Sequence, residues 1–400
     1  MKLVDSHSTA IPKGNLDGFK VHAKYDIISG FLVFLIALPL CLGISLASGY
    51  PAVAGIFTAI IGGLFATFIS NSELSIKGPA AGLIVIALGC VQEFGFTGGV
   101  DPAKDFQAYR LALGVGVVAG AYQIILGLFR VGILVNLFPK AAIHGLLASI
   151  GIIIISKQFP VLVGLSPQGS PLELLAGIPS FLTNMNPKVG VIGITGIIIV
   201  LGYGYIKNPK LKIIPAPMLM LLITVPMGTV MAIGLEGSYT FNNQIYELGQ
   251  KFLVNVPGNL LKAVTFPDFS GVVTETGIKY TVLFAIIGSL EGVISAKAID
   301  GIDPWGRKTN LDRDLLATGI ANTMSAFIGG LPMISEIVRS KANIDNGART
   351  RFANFYHGLF LLFCVALIPG IINQIPLAAL AALLVITGYR LASPNEFKSV

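Results

Sequence analysis

The chain alternates between long apolar runs and short polar breaks, and the runs have the length of bilayer-crossing helices. Spanning the hydrocarbon core takes about 20 predominantly apolar residues. Runs of this kind read at 27–47, 52–70, 79–95, 110–129, 133–156, 188–206, 213–234, 277–299, 314–330, 333–344, 352–370 and 376–392. Two of them depart from the ordinary pattern. After the second run, a polar, strand-like stretch (NSELSIK, 71–77) leads into Gly78-Pro79 and then a short helix. Further on, Gly329-Gly330-Leu331-Pro332 ends one helix, and another short helix follows at once. Proline suits the first turn of a helix, where its missing N–H costs nothing. Short, Gly/Pro-interrupted spans at corresponding places of two halves are the pattern of inverted repeats that hold a site between half-helices. The expected architecture is an all-α polytopic membrane protein. It divides into a cytoplasmic tail (1–25), a first transmembrane repeat (26–235), an extracytoplasmic connection (236–275) and a second repeat (276–400).

Composition sharpens that picture. Only 12% of the 400 residues are charged and 54% are hydrophobic, against about 25% charged in soluble domains. Residues 1–24 contain no contiguous apolar core, so they read as a tail and not as a cleavable signal. Cys41, Cys90 and Cys364 fall inside apolar runs and read as small packing residues. The four histidines are scattered and form no metal constellation. No nucleophile–base pair is visible, so neither an enzyme nor a resident cofactor is expected.

The net charge of +7 follows topology. Lys2, Lys13, Lys20 and Lys24 precede the first run, and Lys207, Lys210 and Lys212 share one loop. Arg307, Lys308 and Arg313 share another, Arg349 and Arg351 a third, and Arg390 and Lys398 close the chain. The long loops 96–109 and 236–270 are not basic. This alternation fits the positive-inside rule with a cytoplasmic N-terminus in the plasma membrane. It excludes a nucleic-acid-binding face.

A helix that begins inside the membrane leaves its first N–H groups unpaired and aims the positive end of its dipole at the gap. Two such ends, around Gly78, Pro79, Ala80 and Ala81 and around Met333–Glu336, make an anion site that needs no metal. Arg339 and Lys77 lie beside them. Arg339 follows Glu336 by three residues, so the two either pair on one helix face or set the potential at a bound anion. At 1.5 Å per residue, Arg339 would lie about 9 Å from Met333 and act by field. Lys77 either snorkels to the cytoplasmic rim or meets the substrate. Glu291 stands mid-span, where an ionised carboxylate costs about 2.5 kcal/mol or more, and Ser295 shares its face one turn on. The pair either forms a structural hydrogen bond or couples transport to sodium or protons. His357, Lys297, Arg349 and Arg351 read as cytoplasmic-side or packing residues.

Several runs in order carry a family resemblance. Pro51 to Phe57 (PAVAGIF), Ile76 to Ala81 (IKGPAA) and Ile286 to Ala298 (IIGSLEGVISAKA, with Gly288, Glu291, Ala296 and Lys297 in place) are three of them. Asn346 to Gly358 (NGARTRFANFYHG) and Ile375 to Arg390 (IPLAALAALLVITGYR) complete the set. From about residue 26 onward the chain resembles the SulP family of anion transporters, bacterial relatives of solute carrier family 26. The resemblance implies a seven-plus-seven inverted-repeat fold with core and gate domains, of which the last two helices and the STAS domain are missing here. It implies an elevator-type secondary transporter of bicarbonate or sulfate, working as a homodimer in lipid, with Na+ as a possible coupling ion. It places the anion between the third and tenth helices, against Leu40, Cys41, Ile44, Gly78, Pro79, Ala80, Ala81, Ser335, Glu336, Ile337 and Arg339, with Glu291 and Ser295 at the coupling ion. For the apolar Leu40, Cys41 and Ile44, packing is the competing reading. Where the family often has a serine-rich run before the arginine, Glu336-Ile337-Val338 stand here, and a carboxylate so close to Arg339 favours a monoanion such as bicarbonate. A nucleobase transporter of the same fold and an uncoupled anion channel are the alternatives.

Overall fold

The structure is a computed structural model that describes residues 11–132, 140–167, 169–206 and 214–393. Lys2, Lys207, Lys210, Lys212 and Lys398, and the start of the run at 133–156, lie outside the described residues. The long helices, in chain order, are α1 (Ala23–Ala47), α2 (Val53–Ile69), α3 (Ala81–Glu93), α4 (Pro102–Leu128), α5 (Lys140–Leu162) and α6 (Pro187–Gly202). They continue with α7 (Ala216–Val230), α8 (Glu275–Ile302), α9 (Leu311–Phe327), α10 (Ile337–Asp345), α11 (Phe352–Leu367) and α12 (Leu377–Leu391). Among the described residues, α1, α4, α8 and α6 with its extension to Tyr205 are long and apolar enough to cross a membrane unaided. The first of them starts at Ala23, slightly before the boundary read from the sequence, and a short helix at Leu16–Val21 precedes it.

Local chemistry fixes these starts. Asp101 caps α4 by accepting from the Ala103 and Lys104 amides, and Pro102 follows at the first helical position. Asn310 and Thr274 do the same for α9 and α8, accepting from Arg313 and Gly277. The middle of α2 widens to a π-turn over Gly62–Ala66. The freed Gly62 carbonyl accepts from the Asn354 side chain of α11 at 3.0 Å, which is how membrane helices re-satisfy interrupted backbone.

Among the described residues, four strands accompany the helices. β2 (Gly237–Phe241) and β3 (Gln244–Leu248) form a hairpin in the long connection, closed by Asn242 and Asn243, both with positive φ. The other two, β1 (Lys77–Pro79) and β4 (Met333–Ser335), come from opposite halves of the chain and pair antiparallel. Lys77 faces Ser335, Gly78 faces Ile334 and Pro79 faces Met333. The run read as a helix from 333 is therefore a strand first and turns helical only at Ile337. Each strand uses the other to satisfy backbone groups that would otherwise be stranded away from water.

Around this crossing the helices group in two sets. In one, α4 packs on α8 and α9, and α1 packs on α2 and α11. In the other, α12 packs on α5, α6 and α7. Polar side chains bridge the first set, as expected where apolar contact alone gives little net attraction between helices. Asn322 on α9 donates to Gln123 on α4 at 2.7 Å and also accepts from the Met333 amide at 2.6 Å. At the α1 start, Asp26 accepts from the Arg349 and Thr350 amides and the Thr350 hydroxyl, tying α1 to the loop between α10 and α11.

Candidate functional site

The two short half-helices start from opposite ends of one strand pair. β1 runs into α3 and β4 into α10, with Ala80 donating to the Pro332 carbonyl at 3.2 Å and Glu336 donating to the Ile76 carbonyl at 2.8 Å. Because the strands are antiparallel, the two helix starts face the crossing from its opposite ends. Gly78 and Pro79 are buried within β1, and Ala80 is 3% exposed. Ala81, partly buried, opens α3.

Arg339 is the largest fully buried side chain described. It sits in the first turn of α10 and reaches back across the strands. Its Nη2 donates to the Pro79 carbonyl at 3.1 Å, and its Nη1 lies 3.6 Å from the Cys41 sulfur on α1. Nη2 is also 3.9 Å from a Glu336 carboxylate oxygen, while Nε has no partner. The guanidinium therefore touches β1 and α1 directly. Gly78 makes this possible: a Cβ there would fall 2.2 Å from Nη1.

The carboxylates complete the crossing. The Ala81 amide lies against the Glu336 carboxylate, and the Gly82 amide against that of Glu291 on α8. Each carboxylate keeps one buried oxygen without a partner, Oε1 of Glu336 and Oε2 of Glu291. Gly82 is again the residue that permits this contact, since a Cβ would sit 2.2 Å from Glu291 Oε1. Ser295 is buried one turn further along α8.

Lys77 neither snorkels nor faces the substrate seat. Its side chain is 2% exposed and points to α9, where Nζ contacts both Asp314 oxygens at 2.8 Å. The same nitrogen donates to Thr318 at 2.9 Å and to Ser335 at 2.8 Å. Ser70 adds a hydrogen bond to Asp314 at 2.5 Å. Both readings made for Lys77 are thus corrected, and the reason is burial: an ammonium this far from water needs a carboxylate. Asp314 and Thr318 escaped the sequence reading although the signal was there, an Asp and a Thr one turn apart at the head of an apolar run.

Other expected site residues divide. Cys41 is fully buried against Arg339, and Leu40, next to Pro39 inside α1, is partly buried nearby. Ile44 packs instead with Ile84, Ile150, Ile154 and Leu384, between the two helix sets. Ser335 spends its hydroxyl on Lys77, and Ile337 is 42% exposed. In this structure, then, Ile44 packs in a cluster that Ala81 also joins, the Ser335 hydroxyl is committed to Lys77, and Ile337 is exposed. His357, read as a packing residue, is fully buried on α11 with neither ring nitrogen partnered. A cleft of about 500 Å³ lined by Arg110, Lys262, Phe106 and Pro51 opens at the loop end of the molecule, away from the crossing.

A model of the Sulfate permease family matches residues 24–400. The bicarbonate transporter BicA of Picosynechococcus sp. is 25% identical over 368 residues, covering 91% of this chain and 61% of its own length. Sulfate transporter 2.1 of Arabidopsis thaliana is 21% identical over 380 residues, covering 93% of this chain and 54% of that protein. The chain thus spans a little over half of the length of these relatives. Among solved structures, the transmembrane domain of a cyanobacterium bicarbonate transporter BicA superposes with a TM-score of 0.78 at 23% identity, covering 95% of this chain and 91% of that one. The fold is therefore that of a polytopic transporter membrane domain.

Proposed function

This chain belongs to the sulfate permease family, and on that premise we propose that it is a secondary active transporter of a small inorganic anion, bicarbonate or sulfate, bound at the β1–β4 crossing. One observation carries the reading: two half-helices begin at a single antiparallel strand pair, with the buried Arg339 guanidinium between them. Helix N-terminal amides and a fixed cation are what a desolvated anion needs. Names borne by relatives, bicarbonate transporter and sulfate transporter, support the same class of substrate. Bicarbonate is the favoured cargo, because Glu336 and Glu291 both stand at the crossing and oppose a dianion more than a monoanion.

Glu291, with an unpartnered oxygen at the seat, is the proposed coupling residue for sodium or a proton. The proposed movement is an elevator in which the α1–α4 and α8–α11 set carries the crossing past α5–α7 and α12. The proposed setting is a homodimer in the plasma membrane with the N-terminus in the cytoplasm. Uptake of labelled bicarbonate and labelled sulfate into proteoliposomes, with and without sodium or proton gradients, tests the proposal. Saturable, gradient-dependent uptake of one of them is expected. Absence of uptake for both, from correctly folded protein, would sink it.

A further inference from the structure

The seat that the half-helix α3 offers to an anion already holds one. Glu336 is the N-cap residue of α10, a position where a side chain ordinarily bonds the amides of its own helix. Here it makes no such bond. Its carboxylate turns across the crossing to the Ala81 amide at the start of α3, with one oxygen 3.9 Å from Arg339 Nη2 and the other buried without a partner. These are the contacts a carboxylate-shaped anion such as bicarbonate would make: a helix N-terminal amide and a guanidinium. The fit of the carboxylate to the seat is incomplete, as befits an occupant meant to leave. Arg339 Nε has no partner although the residue is fully buried, and the Glu336 side chain is still 12% exposed.

The neighbours say which carboxylate yields. Glu291 belongs to the middle of the long helix α8, and its oxygens lie 2.2 and 2.6 Å from where a Gly82 Cβ would stand, so it is wedged against α3. Glu336 sits at a strand-to-helix junction, held by one long ion pair. A rotation about its own side-chain bonds removes it from the Ala81 amide without moving the backbone. The other charged or titratable groups at this point are Arg339 on the same helix, Glu291 on α8 and the Cys41 thiol on α1, with His357 on α11 facing Arg339.

Building on the proposed function, we propose that the Glu336 carboxylate is a tethered substitute for the transported anion, occupying the α3 seat in the empty protein and competing with cargo for it. The substitute serves two ends. It keeps the Ala81 amide and Arg339 compensated when no cargo is bound, and it lowers affinity enough for cargo to be released. Removing the competitor without changing its size therefore tightens binding, whereas removing a merely structural residue does not.

The experiment uses the full chain, purified and reconstituted, with sodium bicarbonate and sodium sulfate as probes in calorimetry and in uptake. Glu336→Gln is expected to lower the Kd and KM for the transported probe by about tenfold or more, with slower turnover. Glu336→Asp, a shorter tether, is expected to fall between. A Gln variant that binds the anion no tighter than wild type overturns the proposal. So does one whose anion affinity is unchanged while its sodium affinity drops, which would make Glu336 a cation ligand. Wild-type protein that binds and transports neither probe refutes the underlying reading of the site, a result distinct from both.

Discussion

Breaking the Lys77–Asp314 pair tests whether the crossing depends on a buried ionic clamp. The pair joins β1 of the first repeat to α9 of the second, at 2.8 Å and with both side chains at most 3% exposed. At an effective dielectric of about 20, two unit charges at that separation attract by about 6 kcal/mol. Desolvation offsets much of it, so the net worth of the pair is small compared with the cost of orphaning one member. Removing one partner of such a pair costs about 3–5 kcal/mol, while replacing both with apolar groups is often neutral. Lys77→Met leaves the Asp314 carboxylate with the Ser70 hydroxyl and, at 3.4 Å, that of Ser335, and Asp314→Leu leaves an ammonium with two hydroxyls. Each single variant is therefore expected to lose about 3 kcal/mol or more of unfolding free energy in denaturant titrations in detergent or bicelles. The Lys77→Met/Asp314→Leu double variant is expected within about 1 kcal/mol of wild type. Single variants within about 0.5 kcal/mol of wild type, or a double variant that simply sums the two losses, would refute the clamp.

Three further changes probe the seat itself. Gly78→Ala places a methyl group 2.2 Å from Arg339 Nη1, so it should depress anion uptake about as much as Arg339→Ala while leaving the charge in the sequence; wild-type uptake would mean the guanidinium has room to spare. Arg339→Ala is expected to weaken anion binding at least about tenfold, and Arg339→Lys to recover little, because an ammonium cannot keep both the Pro79 carbonyl and the Cys41 contact; calorimetric affinities equal across the three proteins would rule this out. Glu291→Gln keeps shape but removes charge, and uptake should lose its dependence on the cation gradient; unchanged gradient dependence would take coupling away from this residue.

How far the sequence spoke for the structure can be judged residue by residue. Gly78-Pro79 and Gly329-Gly330-Leu331-Pro332 announced the two interruptions, because glycine and proline mark backbone breaks whatever surrounds them. What they did not announce was the pairing. Met333–Ser335 is a strand because Lys77–Pro79 lies beside it, and a three-residue strand has no periodicity to read. Arg339 was legible as a charge in an apolar chain, but its direct reach to Pro79 depends on where β1 comes to lie, which is tertiary information. Lys77 misled for the opposite reason: Asp314, its carboxylate, is distant in sequence, and only the packing of α9 on the crossing brings them together. Ile337 shows the limit of reading boundaries from an apolar run, since the helix read from 333 starts four residues later, at Ile337 itself.

The charges gathered at the crossing argue for coupling independently of any single residue. Lys77 and Arg339 contribute two positive charges, and Asp314, Glu336 and Glu291 contribute three negative ones when ionised. The Lys77–Asp314 pair cancels within itself on the α9 side of the strands. With both carboxylates ionised, one guanidinium faces two of them, a local excess of one negative charge before any cargo arrives. Adding a monoanion doubles that excess in a site largely closed to water, where like charges about 4 Å apart cost about 4 kcal/mol at an effective dielectric of 20. A proton or a sodium ion arriving with the anion restores the original balance, and its natural place is against the unpartnered oxygen of Glu291. The same arithmetic ties the tethered-anion proposal to the coupling proposal. Once Glu336 yields its seat to cargo, its own charge still has to be met, and Glu291 beside it cannot meet it without a cation.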